Sequence, residues 1–72
     1  MQELKQIGAN IRKIRVRKAL TQLDLAASCG FDESSIGRIE NGNTNPTVKT
    51  LLKISVALDV NLSDLVRLKK TA

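Results

Sequence analysis

Seventy-two residues leave room for one small hydrophobic core, and a composition of 42% apolar and 26% charged residues describes a globular domain rather than a disordered chain. A core of this size argues against most enzymes. The absence of histidine removes the usual general base and the commonest metal ligand, so neither metal nor cofactor is expected. Twelve Lys and Arg against seven Asp and Glu give a net charge of +5 and point to a polyanionic partner. With Phe31 as the single aromatic, base-stacking platforms for single strands cannot be built, and double-stranded DNA is the expected polyanion. The lone Cys29 forms no internal disulfide, and no apolar run approaches the roughly 20 residues of a membrane span. A cytoplasmic chain without a targeting segment and without membrane association is expected.

Leu4, Ile7, Ile11 and Ile14 recur at steps of three and four, predicting a first helix over roughly residues 3–18 with Arg12, Lys13, Arg15, Arg17 and Lys18 around it. Thr21 is an N-cap for a short second helix from Gln22 to about Ser28, with Asp24 placed to complete a capping box. Gly30 ends that helix in a left-handed conformation, and Asp32 opens a third that runs to Glu40. Asn41-Gly42 is also a hairpin signal, but no alternating strands flank it, so it reads as the stop of the third helix. After the polar loop Asn43-Thr44-Asn45-Pro46, Thr47 caps a fourth helix from Val48 to Leu58. Asn61 caps a fifth, reaching about Leu68 ahead of a frayed tail. The expected architecture is all-α, five helices in one domain over residues 1–72, with the core between about 4 and 68.

Two short helices joined by a tight glycine turn in a basic chain are the parts of a helix-turn-helix, here about residues 22–41, whose second helix enters the major groove. The run Thr21-Gln22-Leu23-Asp24-Leu25-Ala26, Cys29-Gly30-Phe31, Ser34-Ser35-Ile36-Gly37-Arg38-Ile39-Glu40-Asn41-Gly42, then Asn45-Pro46-Thr47 and Leu51-Leu52-Lys53-Ile54, closely resembles the Cro/C1-type (XRE) helix-turn-helix family of lambdoid repressors. The resemblance spans about Ile7 to Leu65 and implies a lambda-repressor-like, sequence-specific regulator without enzymatic activity. Within the family, the small size and layout look like the controller proteins of restriction-modification systems or small phage and plasmid repressors.

Most of the matched pattern concerns the fold. Ala26 and Gly30 are expected to be small where the second and third helices approach, and Leu23, Leu25, Ile36 and Ile39 to face the shared core. Arg15 and Glu40 sit on otherwise apolar helical faces, so an inward ion pair is expected, and the resemblance implies the same pairing. Base contacts are expected from the exposed start of the third helix, and the resemblance assigns them to Glu33, Ser34 and Arg38, with Ser35 able to reach a base or a phosphate. Arg38 fits a bidentate contact to guanine. Glu33 departs from the Gln or Arg common in the family; it either accepts from cytosine N4 or is only a first-turn acid favoured by the helix dipole. Gln22, Asn41, Asn43, Thr44 and Asn45 match positions that clamp phosphates, which fix register without reading sequence. Ala19 stands where the family commonly has glycine and would be strained if its backbone is left-handed. Cys29 reads as a small buried hydrophobe.

Leu62, Leu65 and Val66 exceed what a small core needs and are expected to form a homodimer interface. Such a dimer would bind a pseudo-palindromic operator with half-sites about 34 Å apart. No small-molecule effector is expected. The alternative is an antitoxin-like protein-interaction module that also binds DNA, recognised by a co-purifying partner. Because no side chain has an unperturbed pKa near neutrality, DNA affinity is expected to be nearly flat between about pH 6 and 8 and steep in salt. Fluorescence anisotropy at constant ionic strength checks this, and a tenfold change across that pH range would contradict it.

Overall fold

The computed structural model describes residues 1–69 and contains five helices: α1 (Gln2–Arg17), α2 (Gln22–Cys29), α3 (Glu33–Glu40), α4 (Val48–Leu58) and α5 (Leu62–Leu65). The end of the tail expected to fray, residues 70–72, lies outside the described residues. One apolar cluster joins all five helices, with Ile11, Leu25, Ile36, Ile54, Leu58 and Leu65 fully buried and Ile7, Ile14, Leu20 and Phe31 packed around them. Burial of each large aliphatic side chain contributes about 1.5–3 kcal/mol, the main favourable contribution in a domain this small.

Side-chain capping sets where α2 and α4 start. The Thr21 hydroxyl accepts from the Asp24 amide at 3.0 Å while the Asp24 carboxylate accepts from the Thr21 amide at 2.9 Å, the reciprocal capping expected from the sequence. Those bonds stabilise the charged carboxylate and hold the Asp24 pKa below its ordinary value. Thr47 accepts from the Thr50 amide at 3.1 Å to begin α4. Asp32 precedes α3 without a side-chain capping bond, although its backbone is extended as a cap requires.

Four helix ends close in the same way. At each, a residue with positive φ turns the chain so that two amides bond back to the last carbonyls, as in Asn43 N to Arg38 O at 3.0 Å and Gly42 N to Ile39 O at 3.1 Å. The turning residues are Ala19 (φ 59°), Gly30 (φ 73°), Gly42 (φ 73°) and Asp59 (φ 57°). Gly30 is needed for conformation alone, because a Cβ there would meet nothing within 4 Å; the expectation that it must be small between α2 and α3 is therefore corrected. At Gly42 both constraints act, since a Cβ would lie 2.7 Å from the Cα of Lys5. Gly8 answers a third demand: α1 crosses the end of α3 so closely that a Cβ would collide with the carbonyls of Ile39 and Glu40.

Three further expectations change. Leu23 is 59% exposed rather than in the core, because it lies about 200° round the α2 axis from buried Leu25. Leu65 is 0% exposed within the chain itself, so it belongs to the core and is not dimer surface. Helix α5 stops after a single turn instead of reaching Leu68. Asn10 on α1 explains the stop: its Nδ2 donates to the carbonyls of Leu65 (2.9 Å) and Arg67 (2.8 Å), while its Oδ1 accepts from Gln6 Nε2 at 2.9 Å. An amide that fastens the chain end replaces the helical bonds that would have continued α5.

Arg15 and Glu40 meet beneath α2, their side chains 10% and 1% exposed. Arg15 Nε donates to Glu40 Oε2 at 2.6 Å and Nη2 to Oε1 at 3.1 Å, while Nη1 donates to the Leu20 carbonyl at 2.7 Å. The hydrogen bond to Glu40 raises the Arg15 pKa, against the opposing effect of burial, so the guanidinium stays charged. No buried side-chain polar atom among the described residues lacks a partner. Glu40→Ala should lower stability by about 3 kcal/mol, because it leaves Arg15 buried without its counter-charge, and an unchanged urea midpoint would refute the assignment. Ala19→Gly should raise the unfolding free energy by about 1 kcal/mol by relieving the left-handed strain, whereas Gly42→Ala should lower it by more than Gly30→Ala does, both read from urea unfolding.

Candidate nucleic-acid interface

Helix α3 presents an outward face because its inward one is taken. Ile36, Ile39 and Glu40 are buried, which turns Ser34, Arg38 and Asn41, spaced at i, i+4 and i+7, to solvent together. The sequence reading grouped Ser34 and Arg38 as base readers and put Asn41 among the backbone clamps; the structure sets all three on one face. Glu33 is exposed but lies to one side of it, roughly 100° round the axis from Ser34. Ser35 faces the other flank, half-buried, and its hydroxyl accepts from Arg38 Nη2 at 3.4 Å. That contact leans the guanidinium along the helix surface rather than leaving it free.

Beside α3 is a shallow hollow lined by Phe31, Ser35, Arg38, Thr44, Pro46 and Thr50. Its rim is the loop after α3, in which Asn43 and Asn45 are exposed and Thr44 is half-buried. The loop holds this position through its own backbone, as the Asn43 amide is spent on the Arg38 carbonyl and its side chain is left outward. On one side of the Phe31 ring the Lys53 ammonium sits 5.5 Å from its centre.

Gln22 borders the opposite edge of α3. Its Nε2 donates to Glu40 Oε1 at 3.1 Å, and its amide faces Gly37, where a Cβ would come within 3.7 Å of Oε1. A primary amide carries two N–H groups, so one donor remains for a ligand while the other is held by the buried pair. The sequence pattern identified each of these residues but not this link, since an 18-residue separation between two helices has no periodic signature. Cys29 is buried, and desolvation pushes its thiol pKa up against the opposing effect of Lys53, so it is a core residue and not a reactive one.

Taken together, a rigid helix displays a polar face with one cation, flanked by an amide on one side and a polar loop on the other. No group of acids and thiols capable of holding a metal occurs among the described residues, and no described helix is long and apolar enough to cross a membrane.

Comparison with known proteins matches this arrangement. The helix-turn-helix family HTH_3 matches residues 11–65. An HTH-type transcriptional regulator, y4dJ of Sinorhizobium fredii, is 39% identical over 62 residues, covering 86% of this chain and 80% of that protein. SlrR, an HTH-type transcriptional regulator of Bacillus subtilis, is 42% identical over 60 residues, and the match spans 40% of its length. The restriction-modification controller protein C.AhdI of Aeromonas hydrophila superimposes with a TM-score of 0.88 at 34% identity, covering 90% of this chain and 98% of that one. With the helix-turn-helix and its supporting helices matched in sequence and in space, the chain belongs to the HTH_3 (Cro/C1, XRE-type) helix-turn-helix family of DNA-binding transcriptional regulators, which are not enzymes.

Proposed function

We propose that the protein binds a pseudo-palindromic DNA operator as a homodimer, with α3 in the major groove, and so represses or autoregulates transcription as a minimal controller. The observation that carries this reading is the outward face of α3, where Ser34 and Arg38 share one side of a helix whose position is locked by buried Glu40. Arg38 is the base reader, its fork suited to guanine O6 and N7, and Ser34 adds a short donor or acceptor beside it. Glu33 and Ser35 flank that face and reach bases at its margins. Gln22, Asn41, Asn43, Thr44 and Asn45 clamp phosphates around it, using neutral amides and hydroxyls that set register. Similarity to C.AhdI, titled a restriction-modification controller protein, supports the controller assignment.

For the dimer, the apolar surface lies differently from the sequence expectation. With Leu65 in the core and Leu62 half-buried, Val66 is what remains exposed of that trio, and Val48, Leu52 and Val56 add an apolar line along α4 at intervals of four residues. Such a line on a small domain is surface that a second copy can cover.

Selection of bound sequences from random duplex DNA at fixed salt tests the reading. A palindromic motif with half-sites one helical turn apart is expected, and no enrichment over background would reject it. Arg38→Ala should cost about 1–3 kcal/mol and relax one position in each half-site, whereas a uniform loss over all sequences would assign Arg38 to the phosphates instead.

A further inference from the structure

The contacts of α1 divide it into two sides. Gly8 and Arg15 face α3, while Asn10 faces the chain end after α5. At 100° per residue, Lys13 and Arg17 lie about 140° and 180° round α1 from Gly8, on the side turned away from α3. There, α1 and α5 enclose a groove with Lys13, Arg17, Lys18 and Arg67 and one acid, Asp64, as its walls and half-buried Ile14 and Val60 on its floor. A second hollow continues it past Asn10 to Leu68 and Lys69. Only Arg67 is paired: it meets Asp64 at 3.3 Å, and no carboxylate among the described residues lies within 4.0 Å of Lys13, Arg17 or Lys18. The helix dipole favours the cations at the end of α1, Arg17 and Lys18, whereas Lys13 stands a turn earlier, at i, i+4 from Arg17, where like charges repel.

We infer that this α1–α5 groove docks an acidic, amphipathic segment of a second protein, on the side of α1 opposite the recognition helix. The walls supply cations for carboxylates, and the floor supplies apolar surface that a phosphodiester backbone has nothing to cover. A second copy of this chain is a poor occupant. Five of its seven acids are otherwise placed, with Asp24 and Asp64 bonded at helix starts, Glu40 buried, and Asp32 and Glu33 at the start of α3; the other two, Glu3 and Asp59, are exposed but stand singly on separate elements and form no acidic amphipathic segment. The net charge of +5 adds general repulsion between copies at this face. With the groove and the reading face on different sides of α1, DNA and such a partner can be held at the same time.

The test is NMR of the isotope-labelled full chain, titrated with a synthetic peptide carrying leucines at helical spacing and glutamates elsewhere. Control titrations use the same peptide with leucine replaced by serine, and a random-sequence duplex DNA. Resonances of Lys13, Ile14, Arg17 and Val60 should move with the leucine peptide. The double substitution Lys13→Glu, Arg17→Glu should weaken that binding about tenfold with the fold retained, both sites being exposed. Equal binding of the serine peptide would reduce the groove to bare charge and overturn the proposal. So would stronger perturbation by duplex DNA, movement of the same resonances on raising protein concentration alone, or no movement with any probe.

Discussion

The Arg15–Glu40 pair is the interaction on which the rest of the arrangement depends. One guanidinium binds the carboxylate at the end of α3 and the carbonyl of Leu20 in the turn between α1 and α2, and the carboxylate in turn holds Gln22 at the start of α2. Three helices and one turn therefore share a single network, in a domain too small to define their angles by apolar packing alone. A buried ion pair contributes little net stability against an apolar replacement, so its value here is positional. It fixes α3 and aims a side-chain amide along its edge in the same act.

Close backbone approach is the second device. Gly8 lets α1 lie directly on the carbonyls at the end of α3, and Gly42 lets the chain after α3 pass against Lys5. The four helix ends then reverse through left-handed residues, two of them glycine and two not. Ala19 and Asp59 retain strain that glycine would relieve, and the tertiary packing on either side over-determines their conformation. Short helices with tightly closed ends leave little slack in how α3 is held.

Charge is distributed by role. Five of the twelve cations fall between Arg12 and Lys18, whereas α3 carries Glu33 and a single arginine, Arg38, with Asp32 before it. Positive charge is thus concentrated on α1, and the outward face of α3 is mostly uncharged. The same helix separates two surfaces, with Gly8 and buried Arg15 towards α3 and Lys13 and Arg17 towards α5.

Periodicity and capping made most of the fold legible in the sequence. Thr21, Asp24, Thr47, Gly30 and Gly42 act within a few residues of themselves, so their roles are local and readable, and the helices α1 to α4 follow from them to within a residue or two. The inward turn of Arg15 and Glu40 was legible for the same reason, because each interrupts an apolar stripe. What tertiary structure alone decided lies across longer separations. Asn10 reaches 55 residues to Leu65 and so shortens α5, Glu40 reaches Gln22, and the direction of α2 in the bundle exposes Leu23 while α5 carries Leu65 inward. An apolar residue in a short helix announces that it prefers burial, but not which neighbour buries it. That is settled only when the helices meet.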